Sequence, residues 1–352
     1  MTFFAALSAG ALMRLPRILL FTALTVFGGS FVQRADAQDV ASFYKGKTFR
    51  IVVGFSPGGG YDVYARVLAR HVSRHIPGNP TVVVQNMPGA ASLKSIQYLN
   101  AGGPTDGTVI TTFNPGLITQ ALTSPDKVPI KFLELAWIGN ISEDFRVCYT
   151  WNATGIKNWQ DFLARDKVTF GNTGIGTSAY IDNRMVSDLL GAKLQAVQGY
   201  PGSADKRLAI ERGELDGDCG SWTSLPEDWL KDKKITVLVR FSKTLLPSMP
   251  PSLPYAGDLL SDAKKKQTLE LLTAAALLGR PYIASQEMPA ERLAALRKAF
   301  DDTMKDPEFV AEAGKLNLTV TPMTGLEVET TVRELNKAPP DVIAAAKEIS
   351  GD

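Results

Sequence analysis

The stretch TFRIVVGFSPGGGYD, residues 48–62, places a continuous apolar run before a glycine-rich turn and the start of a helix. Residues 48–53 are mostly apolar without alternation, which predicts a strand buried on both faces of a sheet. Beyond the turn, apolar side chains recur every three or four positions over 62–74, which predicts a helix with one buried face. A strand, a turn and a helix in this order are typical of the α/β fold class.

Strands and helices continue to alternate along the chain in two series. We predict strands over 81–85, 109–113, 137–141, 146–151, 168–170, 194–197 and 236–240. We predict helices over 93–99, 158–165, 178–190 and 204–212, and further helices from residue 289 onward. Two such series exceed what one hydrophobic core usually holds. The sequence therefore predicts two lobes, each a mainly parallel sheet flanked by helices.

The N-terminal segment 1–37 has the features of a secretory signal peptide. Arg14 and Arg17 precede the apolar run 18–27, and Ala35-Asp36-Ala37 supplies a cleavage site. A membrane anchor is the alternative, but the run is well short of the roughly 20 apolar residues that span a bilayer. The segment holds three of the 38 basic and one of the 36 acidic residues, so 35 of each remain after its removal. A formally neutral chain argues against nucleic-acid binding.

Four strand-to-helix turns are rich in glycine, serine or threonine, two in each series. They cover residues 55–62, 88–92, 171–178 and 199–203. A helix start offers unpaired N–H groups and about half a positive charge, and so binds anions without lysine or arginine. Ligands of parallel sheets lie at this edge. One such turn is explained by helix capping alone, whereas four indicate an anion site shared between the lobes.

The candidate ligand contacts follow from these turns. Backbone N–H groups of 58–61 and 90–92, an asparagine and several hydroxyls would hold the anion, and three tyrosines would set size and selectivity. Asp62 would either accept from the ligand or only stabilise the helix start. The candidates are Gly58, Gly59, Gly60, Tyr61, Asp62, Ala90, Ala91, Ser92, Asn114, Thr173, Thr177, Ser178, Tyr180, Tyr200 and Ser203. Further candidates for the cleft are Asp218, Cys219 and Ser221.

An enzyme hypothesis rests on residues 54–58, Gly-Phe-Ser-Pro-Gly, which match the G-x-S-x-G nucleophile elbow of hydrolases. The residue after the nucleophile must donate its N–H to the oxyanion, and Pro57 has none. The base should come late in the chain, yet the two histidines are His71 and His75. The sequence favours a binding protein over an enzyme, with a hydrolase using Ser56 as the weaker alternative.

Neither a metal nor a cofactor is expected. His71 and His75 share a helical face, as a metal pair would, but the residues between them lack the glutamate of a zinc hydrolase. Residues 171–176 read G-x-x-G-x-G, which is not the dinucleotide-binding order, and no Gly-Lys-Ser/Thr follows any of the turns. Cys148 and Cys219 either form a disulfide in an oxidising compartment or remain buried thiols.

In their order and spacing, these motifs resemble the Bug family of periplasmic receptors, the solute-binding components of tripartite tricarboxylate transporters. The resemblance covers nearly all of the chain after residue 37. It implies a two-lobed α/β fold of the type II periplasmic binding protein kind, with the ligand cleft between the lobes. The motifs that carry it are residues 49–62, 86–92, 106–108, 171–178, 200–203 and 211–216.

The resemblance also implies how the chain is divided and where a ligand binds. Residues 38–144 and 272–352 would form lobe one, because the tail crosses back, and 145–271 would form lobe two. The turns 57–62 and 90–92 would hold a ligand carboxylate, often through ordered waters. The hydroxyls of the second lobe that would close on the other end of the ligand are those of Thr173, Thr177, Ser178 and Ser203.

Such a receptor would act as a monomer in the periplasm, capture a small organic acid by hinge closure and deliver it to membrane permease subunits. A ligand-binding accessory of a periplasmic sensor system is the alternative. Two departures keep the acid unidentified. Tyr180 stands where the family often has histidine, and Gly60 and Tyr61 precede Asp62 where a small residue and then a polar one are usual.

Overall fold

The computed structural model describes residues 39–350. The predicted signal peptide lies outside the described residues. Within 39–350, no helix combines the length and the apolar character needed to cross a membrane.

The first lobe is built around a six-stranded sheet. Its strands are β1 (Thr48–Val53), β2 (Thr81–Asn86), β3 (Val109–Thr112), β4 (Ala136–Asn140), β10 (Pro281–Ala284) and β11 (Met323–Thr324), in the order β11-β4-β10-β3-β1-β2. β1 pairs in parallel with β2 and β3. β10 runs antiparallel between β3 and β4, and β11 runs antiparallel to β4. Late segments of the chain thus complete the sheet that the first segments begin.

The second lobe is built around a five-stranded sheet. Its strands are β5 (Arg146–Trp151), β6 (Val168–Gly171), β7 (Leu194–Val197), β8 (Gly217–Ser221) and β9 (Ile235–Arg240), in the order β7-β6-β8-β5-β9. β6 is parallel to β7 and β8, whereas β5 is antiparallel to β8 and β9. Both sheets are therefore mixed, where the sequence predicted mainly parallel pairing.

Helices cover the faces of both sheets. They are α1 (39–44), α2 (Gly60–Val72), α3 (Leu93–Ala101), α4 (Gly116–Thr123), α5 (Trp159–Leu163), α6 (Ser178–Arg184), α7 (Ser203–Glu211), α8 (Glu227–Lys231), α9 (Ala263–Ala274), α10 (Ala290–Lys305), α11 (Pro307–Lys315), α12 (Gly325–Leu335) and α13 (Pro340–Ser350). The predicted helix 178–190 is α6 continued by a π turn over Met185–Leu189.

Alternation along β1 shows why its residues are nearly all apolar. Val52 packs into one apolar cluster, which also holds Trp137 and Phe170. Ile51 and Val53 pack into a second cluster on the opposite face of the sheet. Because successive strand side chains point to opposite faces, a strand covered on both sides needs apolar residues at every position.

The predicted two-lobed α/β architecture is confirmed, and most predicted elements fall within two residues of the observed ones. The antiparallel strand β10 was not predicted, because its four residues are too short a run to separate from a buried helix segment. The boundaries 144/145 and 271/272 between the lobes stay a prediction.

Candidate functional site

A cavity of about 60 Å³ lies between the two lobes. The first lobe contributes the turn after β1, Asn114 after β3, and Arg280 just before β10. The second lobe contributes residues of β5 and β8 and the starts of α6 and α7. The cavity thus lies where the sequence predicted the site, at the edge where strands end and helices begin.

Two helices, one from each lobe, begin at the cavity without a side-chain cap. Gly59 precedes α2 and Gly202 precedes α7, and neither can supply a capping oxygen. The first N–H groups of both helices therefore lack a side-chain acceptor, and the positive ends of both helix dipoles face the same space. Helix starts in this condition bind anions.

Gly60 is required by the close packing of the site rather than by its backbone angles. A Cβ at this position would lie 2.2 Å from Ser224 Oγ and 3.1 Å from Arg280 Nη2. A larger residue would displace the guanidinium or push the lobes apart. The absence of a side chain lets the start of α2 approach both groups.

Three cations and one carboxylate line the cavity. Arg146, Lys206, Arg280 and Asp144 are all lining residues, and each is less than a tenth exposed. Asp144 lies 3.0 Å from Arg146 Nη1 and 3.4 Å from Arg280 Nη2. Among the lining residues, cations therefore outnumber carboxylates by three to one, which places N–H donors where an anionic occupant would accept from them.

Two further carboxylates stand outside the lining, and each pairs with one of the cations that line the cavity. Asp182 pairs with Arg146, and Asp218 lies 2.6 Å from Lys206 Nζ. Burial raises the pKa of Asp182 to about 6, although Arg146 acts to lower it. Burial acts to raise the pKa of Asp144 as well, but Arg280 and Arg146 outweigh it and hold that pKa below its ordinary value. Asp144 is therefore ionised at neutral pH.

Hydrogen bonds join the lobes directly around the cavity. Ser56 Oγ donates to Asp205 Oδ2 at 2.7 Å, and Arg207 Nη2 donates to the Gly58 carbonyl at 3.0 Å. Asn114 Oδ1 accepts from both the backbone N–H and the hydroxyl of Ser178, each at 3.0 Å. The structure is therefore that of a closed clamp.

The cavity brings together six of the predicted ligand contacts. Three of them belong to the turn after β1, one follows β3, and two belong to the second lobe. They are Gly59, Gly60, Tyr61, Asn114, Thr173 and Ser203.

The other predicted contacts are not among the lining residues, and local structure explains most of them. The N–H of Gly58 donates to Asp62 Oδ2 at 2.9 Å, so this donor is already used. Ser92 Oγ accepts from the Asn114 N–H at 2.9 Å and thus positions that residue. Thr177 caps α6, as its sequence position allowed. The remaining predicted contacts outside the lining are Ala90, Ala91, Ser178, Tyr180 and Tyr200.

Asp62 organises the first turn and does not line the cavity. Its carboxylate accepts from the Gly58 N–H, from Arg66 Nε at 2.9 Å and from Asn86 Nδ2 at 2.9 Å. Burial acts to raise the pKa of Asp62, but these hydrogen bonds outweigh it and hold the pKa below its ordinary value. Of the two roles considered for Asp62, the structure supports the stabilising one.

Asp62→Asn is expected to lower the free energy of unfolding by about 1–3 kcal/mol at pH 7, because charge-assisted hydrogen bonds are lost. A carboxyl whose pKa is depressed on folding stabilises the protein above its unfolded pKa and ceases to do so as pH falls through the folded value. Urea unfolding at pH 7 and at a pH well below the ordinary aspartate pKa of about 3.9 should therefore show the difference between variant and wild type shrinking in acid. Asp341→Asn, at the exposed start of α13, is the control and should lower the free energy of unfolding by only about 0.5 kcal/mol. An equal loss at both pH values would contradict this role.

The residues of the hydrolase hypothesis are not arranged for catalysis. Ser56 donates to Asp205, a carboxylate of the second lobe. His71 Nε2 lies 2.6 Å from Glu312 Oε2 and joins α2 to α11. His75, in the 3-10 turn after α2, has its Nε2 2.8 Å from Oδ2 of Asp306, the residue that precedes α11. Ser56 therefore lacks the histidine base that the elbow motif requires.

His71 also belongs to a cluster with the residue types that bind metals. His71, Asp306 and Glu308 converge closely enough to surround an ion. Arg74 also contacts all three, with Nη1 2.6 Å from Glu308 Oε2. An arginine within the cluster already supplies the positive charge that a metal would bring, which makes this an ion-pair network between helices.

The charged lining was missed by sequence reasoning. Arg146 begins a predicted strand and Lys206 lies within a predicted helix, and no motif includes any of Arg146, Lys206 or Arg280. Residue spacing carries no information about the distance between side chains more than 60 positions apart. Turns have a visible local pattern, so the backbone part of the site could be predicted from the sequence.

No family model matches the chain. Among curated proteins, it is 26% identical over 181 residues to a UPF0065 protein of Bordetella pertussis, which is 50% of this chain and 55% of that protein. It is 25% identical over 205 residues to protein BugT of the same organism, which is 56% of this chain and 62% of that protein. The chain thus matches about half the length of the curated relatives it resembles.

Solved structures share the fold over a larger part of the chain. The periplasmic binding protein BugD superposes with a TM-score of 0.71 at 19% identity, over 87% of this chain and 98% of that one. MatC from Rhodopseudomonas palustris, solved with bound malate, superposes with a TM-score of 0.68 at 17% identity, over 84% of this chain and 99% of that one. These likenesses confirm the two-lobed periplasmic binding protein fold. Together with the curated relatives, they confirm the resemblance to the Bug family.

Proposed function

We propose that this protein is an extracytoplasmic solute-binding receptor that captures a small organic anion between its lobes for delivery to a tripartite tricarboxylate-type transporter. The observation that carries the proposal is the charge of the inter-lobe cavity, which is lined by three buried cations and one carboxylate. Two uncapped helix starts add to the positive potential. An anion is the occupant that this lining stabilises.

Capture would proceed by closure of the lobes around a hinge. A ligand shifts an open–closed equilibrium only when it interacts differently with the two states. An anion at this site would contact the start of α2 on one lobe and the start of α7 on the other, so it would bind the closed state more tightly. The direct bonds between the lobes, such as Ser56–Asp205, would assist closure without providing selectivity.

The relatives support this role and the carboxylate class. One structural neighbour is described as a periplasmic binding protein, and another holds malate, a dicarboxylate. By analogy we infer a periplasmic location, membrane permease subunits as partners, a monomer as the working form and no catalytic step. The lobe division 38–144 with 272–352, and 145–271, belongs to the same proposal.

Thermal melting of the protein against a panel of mono-, di- and tricarboxylates, amino acids and amines tests the proposal. A ligand at about 100 times its dissociation constant adds roughly 2.7 kcal/mol to stability. At this size each kcal/mol raises the midpoint by about 2 °C, so an increase of about 5 °C is expected for at least one carboxylate. Neutral and cationic analogues should produce none.

If no compound in the panel raises the melting midpoint, and denaturation releases no small molecule, the receptor role is contradicted. A saturable response leaves the sensor alternative to be separated genetically. Deleting the gene should abolish uptake of the bound acid if the protein serves transport. Unchanged uptake with a lost transcriptional response would favour the sensor accessory.

A further inference from the structure

We propose that Arg280 binds the ligand carboxylate directly and that Tyr61 limits ligand length, so the site selects short carboxylic acids without an ammonium group. This inference rests on the proposed function and deepens it. The uncapped starts of α2 and α7 would hold an anion through backbone N–H groups. Arg280 adds a charged side-chain anchor that comes from a different part of the chain.

Arg280 is 2% exposed, lines the cavity and still has donors to spare. Its Nη1 donates to the Gly279 carbonyl at 2.6 Å, and its Nη2 to Ser221 Oγ at 2.9 Å and more weakly to Asp144 at 3.4 Å. Its buried Nε has no hydrogen-bond partner among the described residues. A guanidinium has five N–H donors in a fork that matches a carboxylate, and an unpaired buried donor is costly. A ligand carboxylate would supply the missing acceptor.

Two aromatic rings hold this guanidinium in place. The central guanidinium carbon, Arg280 Cζ, lies 4.8 Å from the ring centroid of Tyr61 and 5.1 Å from that of Tyr64. Contacts of this kind are attractive, because the face of the ring carries partial negative charge. An anchor whose position is fixed before binding loses little entropy when the ligand arrives.

Asp144 explains why an ammonium group would be rejected. It is the one carboxylate among the lining residues of the cavity. Both Arg146 and Arg280 already contact it. A buried ammonium without a free carboxylate is strongly disfavoured, so an amino acid should bind much more weakly than the matching acid without the amine.

Tyr61 fills the space that a longer ligand would need. Its ring stacks on Phe55 with centroids 5.0 Å apart, and its hydroxyl is buried near the Asn114 side chain at a geometry outside hydrogen-bond limits. The remaining cavity of about 60 Å³ is less than half of the roughly 150 Å³ in which an engineered protein core binds benzene. We therefore expect acids of about three or four carbons, such as propionate, lactate or butyrate.

Calorimetric titration with a length series tests both residues. The series comprises acetate, propionate, butyrate, hexanoate, lactate, succinate and adipate, with alanine as the amine-bearing partner of propionate. Wild type should bind a three- or four-carbon acid at least 10-fold more tightly than hexanoate or adipate. It should also bind propionate at least 100-fold more tightly than alanine. Arg280→Gln should lower the affinity for the preferred acid at least 100-fold, and Arg280→Lys should recover part of that affinity.

The Tyr61 variants separate ring volume from hydroxyl chemistry. Tyr61→Ala should lower the affinity for propionate about 10-fold and raise the affinity for hexanoate. Tyr61→Phe should keep the wild-type preference for short acids. Arg292→Gln is the matched control, because Arg292 packs on Phe43 and donates to the Asp106 carbonyl, away from the cavity. It should bind as wild type does.

Each outcome decides between the two proposals. If wild type binds no carboxylate, the proposed function itself fails. If it binds carboxylates but prefers adipate or alanine, or if folded Arg280→Gln binds as tightly as Arg292→Gln, the inference is wrong and the receptor role stands. Should Arg280→Gln not fold, the length preference of Tyr61→Ala and the partial recovery in Arg280→Lys decide the matter. An unchanged length limit in Tyr61→Ala would overturn the inference.

Discussion

Replacing Cys148 and Cys219 together by alanine is expected to lower the free energy of unfolding by about 4 kcal/mol. The two cysteines form a disulfide between β5 and β8, where they are direct cross-strand partners, and they are 71 positions apart in sequence. A cross-link over a loop of this length removes much of the conformational freedom of the unfolded chain. Urea unfolding of the variant and wild type under oxidising conditions measures the effect.

A reductant provides the control for this prediction. Adding dithiothreitol should lower the urea midpoint of wild type toward that of the variant and leave the variant unchanged. Because Cys219 also lines the cavity, affinity for the preferred ligand should be measured in parallel. Two alkylatable thiols in protein denatured without reductant, or a wild-type urea midpoint that does not change on adding reductant, would contradict the prediction.

Lys206→Met is expected to destabilise the protein by about 3–5 kcal/mol, because it leaves Asp218 charged and unpaired in the interior. The two groups lie 2.6 Å apart and each side chain is 2% exposed. Burial lowers the pKa of Lys206 and raises that of Asp218, so each charge depends on the other. The double variant Lys206→Met/Asp218→Leu should recover most of the loss, because no uncompensated charge remains.

An exposed ion pair of similar geometry is the matched control. Lys193 Nζ lies 2.8 Å from Asp166, with side chains 60% and 96% exposed. Lys193→Met should change the free energy of unfolding by less than about 1 kcal/mol. Chemical unfolding of the four proteins gives the comparison. Equal effects for Lys206→Met and Lys193→Met, or a double variant as unstable as the single one, would show that burial does not set the strength of the pair.

The local pattern of the chain was enough to predict most of its elements. β1, β5 and β7 occur at their predicted bounds. Burial on both faces explains the largely apolar sequences of β1 and β5, whereas β7 is a partly exposed edge strand. β10 was missed because it is short. The mixed character of the sheets was missed as well, because strand direction depends on the route of the chain between strands, and apolar patterning does not encode that route.

The candidate site likewise has a part that the sequence predicted and a part that it did not. Gly59, Gly60 and Ser203 lie at helix starts, and glycine-rich turns mark such places in any sequence. Arg146 and Arg280 reach the cavity from segments without a motif, and their importance comes from Asp144, which contacts both. The predicted turn at 90–92 packs next to the third turn and not into the cavity, since Ser92 is committed to Asn114.

The sequence by itself determined the fold class, the two α/β series and the family resemblance, and it predicted a candidate site at the helix starts of both series. These depend on interactions between residues close in the chain, or on apolar periodicity that repeats along it. Only the tertiary structure decided the pairing of Cys148 with Cys219, the antiparallel strands β10 and β11 through which the returning tail joins the first sheet, and the charged lining of the cavity. Contacts of this kind join residues that are tens to hundreds of positions apart. The distances between such residues are set by packing of the whole chain and not by any local pattern.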